Sequence, residues 1–136
     1  MENGTQEVTQ HKNSPTTSAA ELHHFSDASN QGYGQCSYLR LEDEKHNVHC
    51  TFMMGKSRVA PLKPVTIPRL KLTAAVCSVR IGQQIHQELE SRIDEDLYWT
   101  DSKVVLGYLS NESKRFHMYV SNRVQEIQDS TDKKQW

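Results

Sequence analysis

Residues 22–54, LHHFSDASNQGYGQCSYLRLEDEKHNVHCTFMM, decide the architecture. Leu22–Ser26 is short and half apolar, and Asp27–Gly34 gathers Asn, Ser and two Gly, the composition of a turn. Gly34–Leu41 reads as a second strand. Glu42–Lys45, followed by His46 and Asn47, is a solvated hairpin turn, and Val48–Met54 then alternates Val48, Cys50, Phe52 and Met54 on one face. Three such strands joined by short turns form an antiparallel meander.

Downstream, Gly55–Thr66 carries Pro61 and Pro64, which lack the N–H a central strand needs, so the segment is predicted to be a loop. Thr66 is a candidate N-cap and Pro68 suits a first helical turn, so a helix is expected over Pro68–Glu90. Ala74, Cys77, Ile81, Ile85 and Leu89 recur at spacings of three and four, and Leu72, Val76 and Val79 widen that stripe. A stripe this wide belongs to a helix packed across a sheet. Leu97–Thr100 reads as a fourth strand and Ser102–Ser110 as a short helix despite Gly107; Phe116, Val120, Val124 and Ile127 mark a further amphipathic helix. Upstream, residues 1–20 hold no large apolar side chain beyond Met1 and Val8 and are expected to be a disordered polar leader, with the folded domain over 21–136.

A chain of 136 residues suits one domain. The net charge of −1 gives no global basic excess, so any nucleic-acid contact must come from a local patch. Cys36, Cys50 and Cys77 are odd in number and form no CxxC pair, which fits reduced thiols in a cytoplasmic or nuclear protein. No apolar run approaches the ~20 residues needed to span a bilayer, and Met1 opens no export signal, so no membrane partner is expected. The sequons at Asn3 and Asn111 are then chance matches.

Two acids occupy matching places: Asp27 in FSDAS closes the first strand and Asp101 in WTDS closes the fourth. Strand ends of open α/β sheets are where ligands gather, although a single Asp there is usually a turn or cap residue. Lys56, Arg58, Lys63, Arg69 and Lys71 fall within a sixteen-residue stretch free of acids, a local patch able to hold phosphates; a solvated basic loop is the plainer explanation. His23, His24, Cys36, His46, His49 and Cys50 show no ligand-pair spacing for zinc, and no elbow motif surrounds Ser26 or Ser29 beside His24.

Four phrases carry more than their composition: FSDASNQGYG, MMGKSRVAPLKPVTIPRLKLTAAV, YWTDSKVVLGYL and KRFHMYVSNRVQEI. In this order they resemble the RNase H-like domain of BEL/Pao-type retrotransposon polyproteins, over roughly residues 21–136. The resemblance implies an α/β, RNase H-like fold, a mixed sheet of three antiparallel strands and then a parallel one, flanked by helices. It also implies hydrolysis of the RNA strand of an RNA–DNA hybrid with two Mg²⁺ or Mn²⁺ ions, hard cations that take carboxylate oxygens. Asp27 would then be the metal ligand of the first strand and Asp101 that of the fourth.

The helix phrase departs from the family, which usually reads PRLEL with Glu as the next ligand; here PRLKL places Lys71 there. A protonated ammonium has no lone pair for a cation, so Lys71 is expected to pair with Asp27 or Asp101 and displace metal, leaving divalent binding weak or absent. The family's fourth acid lies beyond a further strand, whereas this chain closes on DKKQW, and Glu126, Asp129 and Asp132 do not match that motif. A C-terminally truncated domain, lacking the last strand and helix, is therefore expected. The sequence thus reads as a retrotransposon-derived RNase H-like domain, ancestrally a metal-dependent ribonuclease and inactive in this copy. Weak binding of an RNA–DNA hybrid or other nucleic acid through Lys56, Arg58, Lys63 and Arg69 is expected. Two alternatives stay open: an active ribonuclease H, or a non-catalytic nucleic-acid-binding or interaction module.

Overall fold

The computed structural model describes residues 17–61, 65–89, 92–110 and 118–136. Its sheet has the order β3-β2-β1-β4, with β1 at Thr17–Ser29, β2 at Gly32–Asp43, β3 at Val48–Val59 and β4 at Glu95–Trp99. Strand β1 runs antiparallel to β2 and parallel to β4, so the sheet is mixed. Helix α1, Ile67–Glu88, makes the crossover between β3 and β4 that a parallel pair requires. Helices α2, Lys103–Ser110, and α3, Met118–Ser130, follow, and a 3₁₀ turn spans Lys133–Gln135.

Strand limits depart from the sequence reading in a consistent direction. The first strand already begins at Thr17, so Thr17–Ala20 pair with β2 instead of belonging to a leader; residues 1–16 lie outside the described residues. The turn predicted over Asp27–Gly34 contracts to Asn30 and Gln31, because Asp27, Ala28 and Ser29 pair with Gly34, Tyr33 and Gly32. Strand β3 continues through Gly55–Val59, five residues of the predicted loop, because Gly32 admits the Arg58 carbonyl where any side chain would collide.

The alternation predicted for Val48–Met54 is also corrected. A bulge between Ser37 and Tyr38 pairs them with Met54 and Phe52 and leaves Met53 as the extra residue. Met53 is the buried residue of that strand, while Val48 and Cys50 are exposed on the other face.

All three helices pack on one face of the sheet. Ala20, Leu22, Leu39, Leu41 and Met53 meet Ile81, Ile85 and Leu89 from the second half of α1. Leu72, Ala75, Val76 and Val79 from its first half join Tyr98, Val105, Leu109, Val120, Val124 and Ile127. Leu72, Val76, Val79, Ile81, Ile85 and Leu89 are positions of the predicted stripe, whereas predicted Cys77 is only half-buried and Ala75 joins the core outside the prediction; Phe116 lies outside the described residues. Trp136 extends the second cluster, its ring stacked on Tyr98 at 4.7 Å between centroids.

Candidate metal centre

Parallel pairing of β1 and β4 ends at Phe25 and Trp99, so Asp27 and Asp101 each stand two residues past the last pair, side by side at one end of the sheet. Helix α1 starts beside this end. Leu70 and Leu72 are buried and fix the helix rotation, which turns Lys71 between them toward the strand ends.

The Lys71 ammonium reaches both carboxylates: Nζ donates to Asp101 Oδ1 at 2.9 Å and lies 3.3 Å from Asp27 Oδ1. The sequence reading expected one partner or the other, and the lysine has both. Asp27 and Asp101 remain about two-thirds exposed, while the lysine is one-fifth exposed. The hydrogen bond to Asp101 is the main cause raising the Lys71 pKa, and partial burial opposes it. The same bond holds the Asp101 carboxyl below the usual carboxylate range.

A buried polar chain joins the same elements away from this end, since Asp96 opens β4 and His86 stands in the last turn of α1. His24, fully buried on β1, hydrogen-bonds Ser37 Oγ through Nδ1 at 2.6 Å and Asp96 Oδ1 through Nε2 at 2.9 Å, and His86 from α1 meets the other Asp96 oxygen at 2.5 Å. Burial pushes the Asp96 carboxyl up, but the bonds from both histidines outweigh it and the net displacement is downward. This chain ties β1, β4 and α1 together, the three elements that carry Asp27, Asp101 and Lys71. Its pattern in sequence is dispersed over 72 positions, from His24 to Asp96, and carries no local signature.

The other acids weighed in the sequence are engaged elsewhere. Glu126 accepts two hydrogen bonds of 2.7 Å from Arg80, Asp129 accepts one from Gln125, and Asp132 caps the 3₁₀ turn. No group of three or more metal-ligating side chains occurs among the described residues. The donor set at the strand ends, two carboxylates sharing one ammonium, does not fit a pair of divalent cations, which needs several converging anionic oxygens.

The basic residues divide. Lys56 and Arg58 lie on β3, not in a loop, opposite Gln35 and Tyr33, and both are exposed. Arg69 sits in the first turn of α1 with its guanidinium 5.5 Å from the centre of the Tyr119 ring. Lys63 lies outside the described residues. A cleft of about 1050 Å³ joins Lys56 and Arg58 to Asp27 and Asp101 and is also lined by Ser26 and Gln35. Ser26 Oγ and Gln35 Nε2 are buried there with no hydrogen-bond partner. Sequence reading weighed Ser26 only as a nucleophile and overlooked Gln35. The remaining candidates disperse: Ser29 Oγ caps the Gln31 N–H, His23 bonds Glu21, and His46 takes a left-handed turn conformation with φ of 65°.

No curated protein matches the chain. Among solved structures, the N-terminal RNase H domain of rv2228c from Mycobacterium tuberculosis, determined as a fusion with maltose-binding protein, superposes with a TM-score of 0.50. The match has 13% sequence identity and covers 79% of this chain and 71% of that one, a likeness of fold. The family model for the Pao retrotransposon-like RNaseH-like domain matches residues 5–102, most of the sequence and every element from β1 through β4. That span holds FSDAS, PRLKL and WTDS, and the chain belongs to the Pao retrotransposon-like RNaseH-like domain family.

Proposed function

We propose that this chain is an RNase H-like domain of retroelement origin in which the hybrid-cutting chemistry has been replaced by an internal ion cluster. The observation that carries the reading is the Lys71 ammonium bonded to both Asp27 and Asp101. An ancestral site of this kind uses carboxylates to hold Mg²⁺ or Mn²⁺, which activates water and stabilises the leaving oxygen. With a lysine between them, Asp27 and Asp101 satisfy a cation the chain itself supplies. A metal ion entering would have to displace that ammonium and would then find two carboxylates instead of a full ligand set.

What the domain keeps, in this reading, is a sequence-independent contact to a nucleic-acid backbone. Lys56 and Arg58 are exposed and have no ion-pair partner among the described residues. The test is incubation of purified protein with a labelled RNA–DNA hybrid in Mg²⁺ and in Mn²⁺, beside binding measured at several salt concentrations. Salt-sensitive binding without cleavage is the expected result. Cleavage abolished by Asp27→Asn would establish the active ribonuclease instead.

A further inference from the structure

A line of hydrogen bonds runs from α1 through β4 and β1 into β2, and the protons along it can be placed in two ways. His86 bonds Asp96 Oδ2 at 2.5 Å, His24 Nε2 bonds Asp96 Oδ1 at 2.9 Å, and His24 Nδ1 bonds Ser37 Oγ at 2.6 Å. Ser37 Oγ lies 3.0 Å from Gln35 Oε1, and Ser78 Oγ from α1 lies 3.5 Å from the same oxygen. His24, Ser37 and Ser78 are buried, whereas His86 is exposed. One end of the line meets solvent, and the other, Gln35, lines the cleft that holds Lys56 and Arg58.

A hydroxyl has a single proton, so Ser37 cannot donate in both directions. When it donates to the Gln35 carbonyl, its oxygen must accept from His24 Nδ1–H, and Asp96, held ionised by its two histidine donors, accepts from Nε2–H. His24 is then an imidazolium, and the Gln35 amide nitrogen is left buried without an acceptor. When His24 is neutral with its proton on Nε2, Nδ1 accepts from Ser37, whose oxygen then needs another donor. Turning the Gln35 amide over supplies one: its nitrogen faces Ser37 and Ser78, an N–H for each, and its oxygen takes the unpartnered place, where a carbonyl is tolerated better than an N–H. The cationic state has the Asp96 ion pair and the Tyr98 ring stacked on His24 at 4.7 Å; the neutral state leaves no amide N–H unbonded. Among the described residues, β4 presents Asp96 and Tyr98 to His24, β2 the uncharged Ser37 and Gln35, and α1 the Gly82 backbone and, through Asp96, His86. Burial raises the Tyr98 pKa and keeps its hydroxyl protonated.

We propose that His24, Ser37 and Gln35 form a proton-driven switch, in which a proton taken up on His24 Nδ1 rotates the Ser37 hydroxyl away from the ring and turns the Gln35 amide over at the wall of the cleft. The proton comes from solvent, and no covalent bond changes other than the new N–H. The switch stands apart from the Lys71 cluster and does not depend on the reading of that site. Nuclear magnetic resonance of protein with isotope-labelled histidine and glutamine side chains, titrated with acid and base, reads both groups at once. One coupled step is expected: His24 Nδ1 moves between the ranges of a bare and a protonated ring nitrogen, and the Gln35 side-chain amide signals shift with the same midpoint. His86→Gln keeps a donor to Asp96 and should leave that step in place. Ser37→Ala should cut the link, so that the Gln35 signals stay still while the His24 ring changes; if this variant does not fold, the parent and His86→Gln titrations decide. The proposal is overturned if His24 keeps one protonation state throughout the pH range in which the protein stays folded, or if Gln35 ignores the His24 step in the parent protein. It is equally overturned if the Gln35 shift disappears in His86→Gln or survives in Ser37→Ala.

Discussion

Replacing Lys71 by glutamate changes the charge of the strand-end cluster from −1 to −3 and puts an oxygen ligand where the ammonium now sits. Distances of 2.9 and 3.3 Å from one nitrogen keep the Asp101 and Asp27 oxygens within about 6.2 Å of each other, the sum of the two. Ligands to one Mg²⁺ lie ~2.1 Å from the metal, so opposed oxygens must come within ~4.2 Å. Both carboxylates are side chains at open strand ends, and a rotamer change can cover such a difference. Lys71→Glu should therefore raise Mg²⁺ and Mn²⁺ affinity by at least about tenfold, since each added carboxylate improves both charge and coordination. Lys71→Gln, which removes the cation without adding a carboxylate, should fall between the two proteins. Calorimetric titration of the three forms measures this directly. Equal affinities in all three would mean that the lysine does not control the site, and the proposal that it replaces the metal would fail.

The remaining expectations concern stability and binding. Asp96 and Asp101 have depressed carboxyl pKa values in the folded chain, so the stability they contribute is present above the unfolded value near ~3.9 and lost as pH falls through the folded one. Urea titrations in the acid range should accordingly show a smaller loss of stability in Asp96→Asn than in the parent protein. Lys71 has the opposite sign: its raised pKa contributes below about 10.4 and is lost at higher pH, a limb that Lys71→Gln should flatten. Gly107 lies in α2 with nothing within 4 Å of an added methyl, so Gly107→Ala should stabilise by roughly 0.5–1 kcal/mol in thermal melts. Gly82→Ala should instead destabilise, on the order of 1–3 kcal/mol, because its methyl would press on the Tyr98 hydroxyl at 3.1 Å and the His24 ring at 3.2 Å. Neutralising Lys56 and Arg58 together should weaken hybrid binding and flatten its salt dependence by roughly two units of slope.

Elements were legible where one periodicity dominates. Helix α1 shows its stripe over many turns, and the residues of that stripe are buried except for the half-buried Cys77. Strand ends were less legible because pairing, not composition, sets them. Thr17–Ala20 look like leader by composition, yet Ala20 is buried and its N–H donates to the Asp94 carboxylate 74 positions away. Gly55–Val59 look like loop, yet their backbone groups complete the ladder with Gly32–Cys36. A bulge such as the one at Met53 reverses side-chain parity beyond it, so an alternation counted from Val48 assigns the wrong face after one inserted residue.

The same distinction explains the site. Asp27, Lys71 and Asp101 could be singled out because each stands in a short phrase whose neighbours match a family pattern, and the fold then brings the three side chains together. Gln35, Asp96 and Tyr38 belong to no phrase, and Phe25 and Trp99 stand in phrases that say nothing of their packing. They acquire meaning through register alone: Asp96 reaches His24 because β4 lies parallel to β1, and Phe25 sees Trp99 and Tyr38 because β1 is flanked by β4 and β2. Lys71 is informative for a further reason. Two carboxylates placed side by side at strand ends repel unless a cation lies between them, so a sheet that keeps Asp27 and Asp101 must supply that charge from solution or from the chain. A lysine at this position of α1 supplies it from the chain, its ammonium 2.9 Å from Asp101 and 3.3 Å from Asp27.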